Sequence, residues 1–279
     1  MKQFVGTQHL VPLLFYESRK IMKRIIPVLV ILSLMACAAP STPTLANSTS
    51  TSSPVPTAAP TGTPAATATS TPLEISSIPG FEDWSVNNPS AVEIQAEDGA
   101  LLLILRRRVL WFMDRQGVLA YTPVEGDFKI TADLYTMKRS DPSQAPGGDR
   151  TVQLGGLMAR DGVSAQENYV FIVVGDDGNG LSVETKNTTN DVSEYDGPFW
   201  DSPNASLRLC RAGQTFHLYK RHIDNNEPWL LAASFERPDL PESLQVGVNI
   251  YTNSTPDIQI RYENIKIESL ASPDECETD

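Results

Sequence analysis

The chain has 279 residues, a formal net charge of −12, 41% hydrophobic residues, 3 cysteines and 3 histidines. A chain this acidic is excluded from holding nucleic acid or anionic lipid headgroups by bulk charge. The cysteine spacing offers no zinc-site pattern.

Residues 1–21 mix apolar and polar types without a signal, so translation is expected to begin at Met22. Lys23 and Arg24 then supply positive charge, and Ile25 to Leu34 form an apolar run too short to span a bilayer. Leu34-Met35-Ala36-Cys37 closes the run. These four residues resemble the lipobox of bacterial lipoproteins. The resemblance implies cleavage before Cys37, a lipid on its sulfur, and a domain facing outward from the cell membrane or outer membrane. Several acyl chains are what stable anchoring requires. The alternative is an ordinary secretory signal with a chance cysteine. Residues 1–36 hold Lys2, Arg19, Lys20, Lys23 and Arg24 against Glu17, so the chain from Cys37 onward carries −16.

Of the 35 positions 38–72, 31 are Ser, Thr, Pro or Ala. Such a segment has no apolar surface to offset its ordering entropy. With Cys37 it reads as a disordered tether over 37–73, biased by its prolines toward an extended spacer.

From residue 74 to 270 the composition becomes globular, with enough chain for one core. Phe128, Ile130, Ala132 and Leu134 alternate with polar neighbours, as do Val246, Val248 and Ile250, and Ile258, Ile260 and Tyr262. Ile265 and Ile267 fall on the opposite parity, which predicts a bulge near Glu263-Asn264. Turn signals stand at 97–99, 115–117, 125–127, 145–149, 176–180 and 224–228. Short alternating strands between such turns predict an all-β, two-sheet antiparallel β-sandwich. Arg106, Arg107 and Arg108 are expected on a solvated strand. Residues 271–279 are expected as a flexible acidic tail. Cys210 and Cys276 are left open between a disulfide and two free thiols.

The ordered series GGLMAR at 155–160, ENYVFIVV at 167–174, SLRLCRAGQTFHLYKRHIDNNEPW at 206–229 and LQVGVNIY at 244–251 carries a second resemblance. It is similar to a concanavalin A-like family known only as a domain of unknown function, the DUF1349 group, related to laminin-G and lectin/glucanase jelly rolls. Arg208, Arg211, Gly213, Phe216 and Trp229 match its pattern. Asp224-Asn225-Asn226 and Tyr262-Glu263-Asn264 depart from it. The resemblance implies a jelly roll and no catalytic residues. Gly155 and Gly156 then suggest a bulge or a close backbone approach. Trp229 is expected in the core, with a ligand contact as the alternative. Arg160, Arg208 and Arg211 are expected to pair with carboxylates on sheet faces or to line a charged groove.

Catalytic patterns fit poorly. Glycoside hydrolases of this fold place carboxylates at alternate positions of one strand. The nearest approach, Glu194-Tyr195-Asp196, runs into Gly197-Pro198, lacks the last carboxylate and reads as a loop. His217 and His222 are five apart, and no G-x-S-x-G occurs. No cofactor is implied, except calcium, for which Glu82, Asp83 and Glu263 are the candidates. Flat aromatics beside hydroxyl-pairing polar groups suit a carbohydrate. The segment 194–204 supplies Tyr195, Asp196, Phe199, Trp200, Asp201 and Asn204, with a hydrophobic cap on the sandwich as the alternative. The sequence therefore suggests a ligand-binding module on a lipid anchor, with a glycan as leading ligand. A glycoside-active enzyme with a degenerate site and a non-catalytic envelope protein are the alternatives.

Overall fold

The computed structural model describes residues 74–148, 150–223 and 227–278. Cys37 and the tether lie outside the described residues. Fourteen strands form two seven-stranded sheets in which every pairing is antiparallel among the described residues. In sheet order, the first sheet is β1 (Ser85–Asn87), β4 (Val118–Glu125), β13 (Ser243–Thr252), β6 (Val152–Arg160), β7 (Tyr169–Asp177), β8 (Leu181–Thr189) and β9 (Val192–Asp196). The second is β12 (Leu230–Glu236), β11 (Thr215–Arg221), β10 (Asn204–Ala212), β5 (Phe128–Met137), β14 (Gln259–Ser269), β3 (Ala100–Leu105) and β2 (Val92–Glu97). This is the two-sheet sandwich of the concanavalin A-like jelly roll.

The predicted alternation fills the space between the sheets. Phe128, Ile130, Ala132 and Leu134 of β5 face Val246, Val248 and Ile250 of β13 and Val170, Ile172 and Val174 of β7 in one buried cluster. The β5–β14 register shifts between Glu263 and Lys266, where Asn264 takes a φ of 51°. Ile265 and Ile267 thereby still reach the core, so the bulge forms where the change of parity placed it. Gly155 and Gly156 mark a close approach. A Cβ on Gly155 would lie 2.4 Å from the Asn249 carbonyl oxygen, and one on Gly156 would lie 2.0 Å from that of Ile172.

The outer face of the first sheet is sealed by the chain's own residues. The segment between β3 and β4 lays Trp111 over Leu119, Leu154, Met158, Tyr169, Phe171 and Tyr251, and the indole is fully buried. Lys186 of β8 donates to the Trp111 carbonyl at 3.0 Å and sits 3.1 Å from Glu184. Burial pushes the Glu184 carboxyl up and the Lys186 ammonium down, so loss of solvent outweighs their attraction.

Three expectations are corrected here. Arg106, Arg107 and Arg108 lie beyond the end of β3, not on a strand, because the pairing stops at Leu105. Arg106 pairs with Glu93, and Arg107 donates to Ser90 at 2.8 Å. Glu194, Tyr195 and Asp196 belong to edge strand β9, held by β8, and only the residues after Asp196 form the loop. The acidic end is not a free tail. Cys276 is bonded to Cys210 and buried, and Pro273–Cys276 form a 3-10 turn. Its carbonyls accept from the second sheet: Lys129 donates to Glu275 at 3.3 Å and Thr278 at 3.1 Å, and Arg208 to Cys276 at 2.8 Å.

Candidate functional site

The second sheet leaves its outer face open beside that C-terminal strap. Alternation that sends Phe128, Ile130 and Ala132 inward sends Lys129, Thr131 and Asp133 outward. Register then builds rows across strands. Arg208 of β10 lies opposite Thr131 of β5, which lies opposite Lys266 of β14. Ser206 lies between Asp133 and Arg221 in a second row. Lys129, Thr131, Asp133, Arg208, Arg221 and Lys266 line a groove of about 270 Å³ with Trp229, Asn264 and Glu268.

Trp229 immediately precedes β12 and leans onto this face. Its ring centroid lies 4.1 Å from the Arg208 guanidinium carbon and 4.2 Å from that of Arg221. The expectation of a core tryptophan is therefore corrected: Trp229 is half-buried and lines the groove, packing on the small cluster of Cys210, Tyr219 and Cys276. A guanidinium over an indole holds the ring rigidly while one edge stays wet. Asp133 accepts from Ser206 and, at 2.7 Å, from the Asn264 amide, which fixes both polar groups at the groove wall.

The three arginines expected to pair with carboxylates or to line a groove divide. Arg160 makes the expected carboxylate pair, donating from Nε and Nη2 to Glu167 at 2.8 and 2.7 Å. Arg211 donates to the carbonyls of Gly213, Pro241 and Glu242 and ties loops together. Arg208 serves the groove.

The six residues drawn from 194–204 do not form one platform. Tyr195, 63% exposed, stands on the outer face of the first sheet near Lys186 and Phe112. Asp196 ends β9, and Phe199 is 78% exposed. Trp200 is only 7% exposed, packs into the core and donates to the Asn204 carbonyl at 3.1 Å, so it is corrected from ligand platform to hydrophobic cap. Asn204 accepts from the Thr136 amide at 3.1 Å. Asp201 and Glu227 take the two ring nitrogens of His222 at 2.8 and 3.0 Å, and the imidazole stacks on Trp200 at 4.1 Å. The Asp201 bond, then the Glu227 bond, raises the His222 pKa. Half of the proposed set thus holds the loop in place.

The calcium candidates remain apart in role. Glu82 accepts from the Gly80 amide, and Glu263 pairs with Arg261 at 2.6 Å. Among the described residues no three His, Cys, Asp or Glu side chains gather as a metal site.

Sequence reasoning missed Lys129, Thr131, Asp133, Arg221 and Lys266. The signal was present in DFKITADLY, whose polar parity names one face. Which strands bring their polar parities to that face depends on sheet order, and the sequence does not state that order.

No protein-family model matches the chain, and no curated protein sequence matches it. Solved structures do. A functionally unknown protein from Saccharomyces cerevisiae is similar at a TM-score of 0.58 and 10% identity, over 68% of this chain and 98% of that one. A xylan beta-1,4-xylosidase from Bacillus halodurans C-125 is similar at 0.50 and 14% identity, over 67% of this chain and 37% of the xylosidase. The metal-free lectin I-B4 of Griffonia simplicifolia is similar at 0.46 and 11% identity, over 69% of this chain and 95% of the lectin. The chain spans little more than a third of the xylosidase, and identities this low define a shared fold alone.

Proposed function

We propose that the chain is a carbohydrate-binding module, displayed from a membrane by a lipid on Cys37 and a tether over 38–72, and related to the DUF1349 group. The observation that supports this reading is the half-buried Trp229 in a groove walled by Asp133, Asn264, Thr131 and Arg221. A sugar ring offers apolar C–H groups to the wet edge of the indole and hydroxyls to fixed amides and carboxylates. The first sheet, by contrast, has its face occupied by Trp111. The xylosidase that shares this sandwich is named for a polysaccharide substrate, which agrees with the reading without carrying it.

The test is affinity electrophoresis of the purified chain through gels containing xylan, polygalacturonate or carrageenan. Retardation by at least one polymer, abolished in Trp229→Ala, is expected. Unretarded migration in all three would contradict the proposal.

A further inference from the structure

Resting on the glycan reading of this groove, we infer that the site takes an extended oligosaccharide laid across the strands, with a second subsite at Tyr219, Leu231 and Glu277 beyond Trp229. A further groove of about 300 Å³ lies between Tyr219, Pro228, Trp229, Leu231 and Glu277. Trp229 lines both this groove and the first. Register makes the two grooves parts of one line. Lys266, Thr131, Arg208, Tyr219 and Leu231 are successive cross-strand partners on β14, β5, β10, β11 and β12. The first three line one groove and the last two line the other. Neighbouring strands lie about 4.8 Å apart, so the row runs for about 19 Å. The indole stands over its middle member, with the ring centroid 4.1 Å from the Arg208 guanidinium carbon.

The rows on either side run in the same direction. Lys129 and Cys210 form one of them. The C-terminal strap is fastened over that row by the Cys210–Cys276 bond and by the carbonyls that accept from Lys129 and Arg208. Asp133, Ser206 and Arg221 form the row on the other side. Lys266 and Leu231 end the line and are both exposed, so a chain can run on past either end. Leu231 keeps 56% of its surface exposed beside Tyr219 and Pro228, which gives the second subsite an apolar platform. The exposed Glu277 of the strap offers a carboxylate to sugar hydroxyls. Glu268 and Glu277 stand among Lys129, Arg208 and Lys266, so the trough is mixed in charge and selects by length. One ligand that reaches both subsites gains from their linkage as well as from each contact.

The experiment titrates the full chain with the disaccharides and hexasaccharides of xylan, polygalacturonate and carrageenan, as wild type, Trp229→Ala, Leu231→Ser and Glu277→Gln, with melting temperatures measured alongside. Leu231 and Glu277 are exposed, so both of their variants should fold as wild type does. In at least one series the hexasaccharide is expected to bind at least about tenfold tighter than the disaccharide. Leu231→Ser should weaken the hexasaccharide about fivefold, in keeping with partial burial of one leucine. Glu277→Gln should weaken it too, and neither should alter the disaccharide. Trp229→Ala should abolish binding of both lengths. Equal affinity for the two lengths, a hexasaccharide indifferent to both Leu231→Ser and Glu277→Gln, or a parent polymer that binds where its hexasaccharide does not, would overturn the extended site. With binding still lost in Trp229→Ala, each of these results leaves the glycan reading standing. Absence of binding to every saccharide and every parent polymer would overturn both.

Discussion

The hydroxyl of Tyr262 crosses the sandwich to donate to the Asn249 carbonyl at 2.6 Å, joining β14 of one sheet to β13 of the other. Both residues are fully buried. Burial pushes the Tyr262 phenol well above its ordinary pKa, so it remains a donor at all physiological pH. Tyr262→Phe should cost about 1–3 kcal/mol, the range for a buried hydrogen bond lost with its acceptor left in place. Gly155→Ala should cost more, because its Cβ would meet the same hydroxyl at 2.9 Å and backbone at 2.4 Å. Urea unfolding of the two variants checks the order; an Ala variant as stable as wild type would refute it.

The bond between Cys210 and Cys276 closes a loop with a sequence separation of 66 residues. Chain entropy sets its contribution at up to about 4 kcal/mol. Reduction, or Cys276→Ser, should lower the melting temperature and free the strap from Lys129 and Arg208. Hydrogen exchange would show it as faster exchange confined at first to 270–278. Unchanged exchange there after reduction would mean that hydrogen bonds, not the disulfide, hold the strap.

Glu184 and Lys186 form a pair in which both groups are disfavoured by burial. Lys186→Met alone should cost about 3–5 kcal/mol, since it strands a buried carboxylate. The double variant Lys186→Met with Glu184→Gln should recover most of that loss. A double variant as damaged as the single one would show that the ammonium also matters for fixing the Trp111 strap.

His222 makes the fold's clearest pH response. Its folded pKa is raised above the ordinary 6.5 by its bonds to Asp201 and Glu227. The imidazolium's contribution is therefore fully present below 6.5 and is lost as pH rises through the raised folded value. Asp201 supplies the opposite limb: its carboxyl is lowered from 3.8, so its contribution is lost as pH falls through the lowered value. Both groups are largely solvated, so screening keeps the effect small. The difference in melting temperature between wild type and His222→Gln should stay level below about pH 6.5 and shrink as the pH rises above it. A constant difference would place the role of His222 in its stacking on Trp200.

Much of this fold was legible. Period-2 burial marked β5 and β14, and the parity change at Ile265 located the bulge, because those strands have one buried and one open face; β13 alternates in sequence although both its faces are buried from Val246 onward. Strands β6, β7 and β8 are buried on both faces, so their runs carried composition but no facing. The tail was misread because its polar side chains conceal a chain held by carbonyls and one disulfide. Trp200 and Trp229 were assigned in reverse for a related reason. A tryptophan's burial depends on the sheet face beside it, and neighbouring residues do not define that face.

The proposed lipid anchor on Cys37 is tested separately. Cys37→Ser should move the protein from the membrane fraction to the soluble one and abolish incorporation of labelled fatty acid. Retention in the membrane without that cysteine would reject the anchor.

The groove itself is tested most directly by separating Trp229 from the exposed aromatic on the other sheet. Wild type, Trp229→Ala and Tyr195→Ala are titrated with polygalacturonate, carrageenan and xylan, with melting temperatures measured alongside. The account predicts that Trp229→Ala weakens binding at least about tenfold, consistent with loss of an aromatic anchor, while Tyr195→Ala binds as wild type does. Binding that survives in Trp229→Ala and disappears in Tyr195→Ala would place the site at β9 and contradict the account.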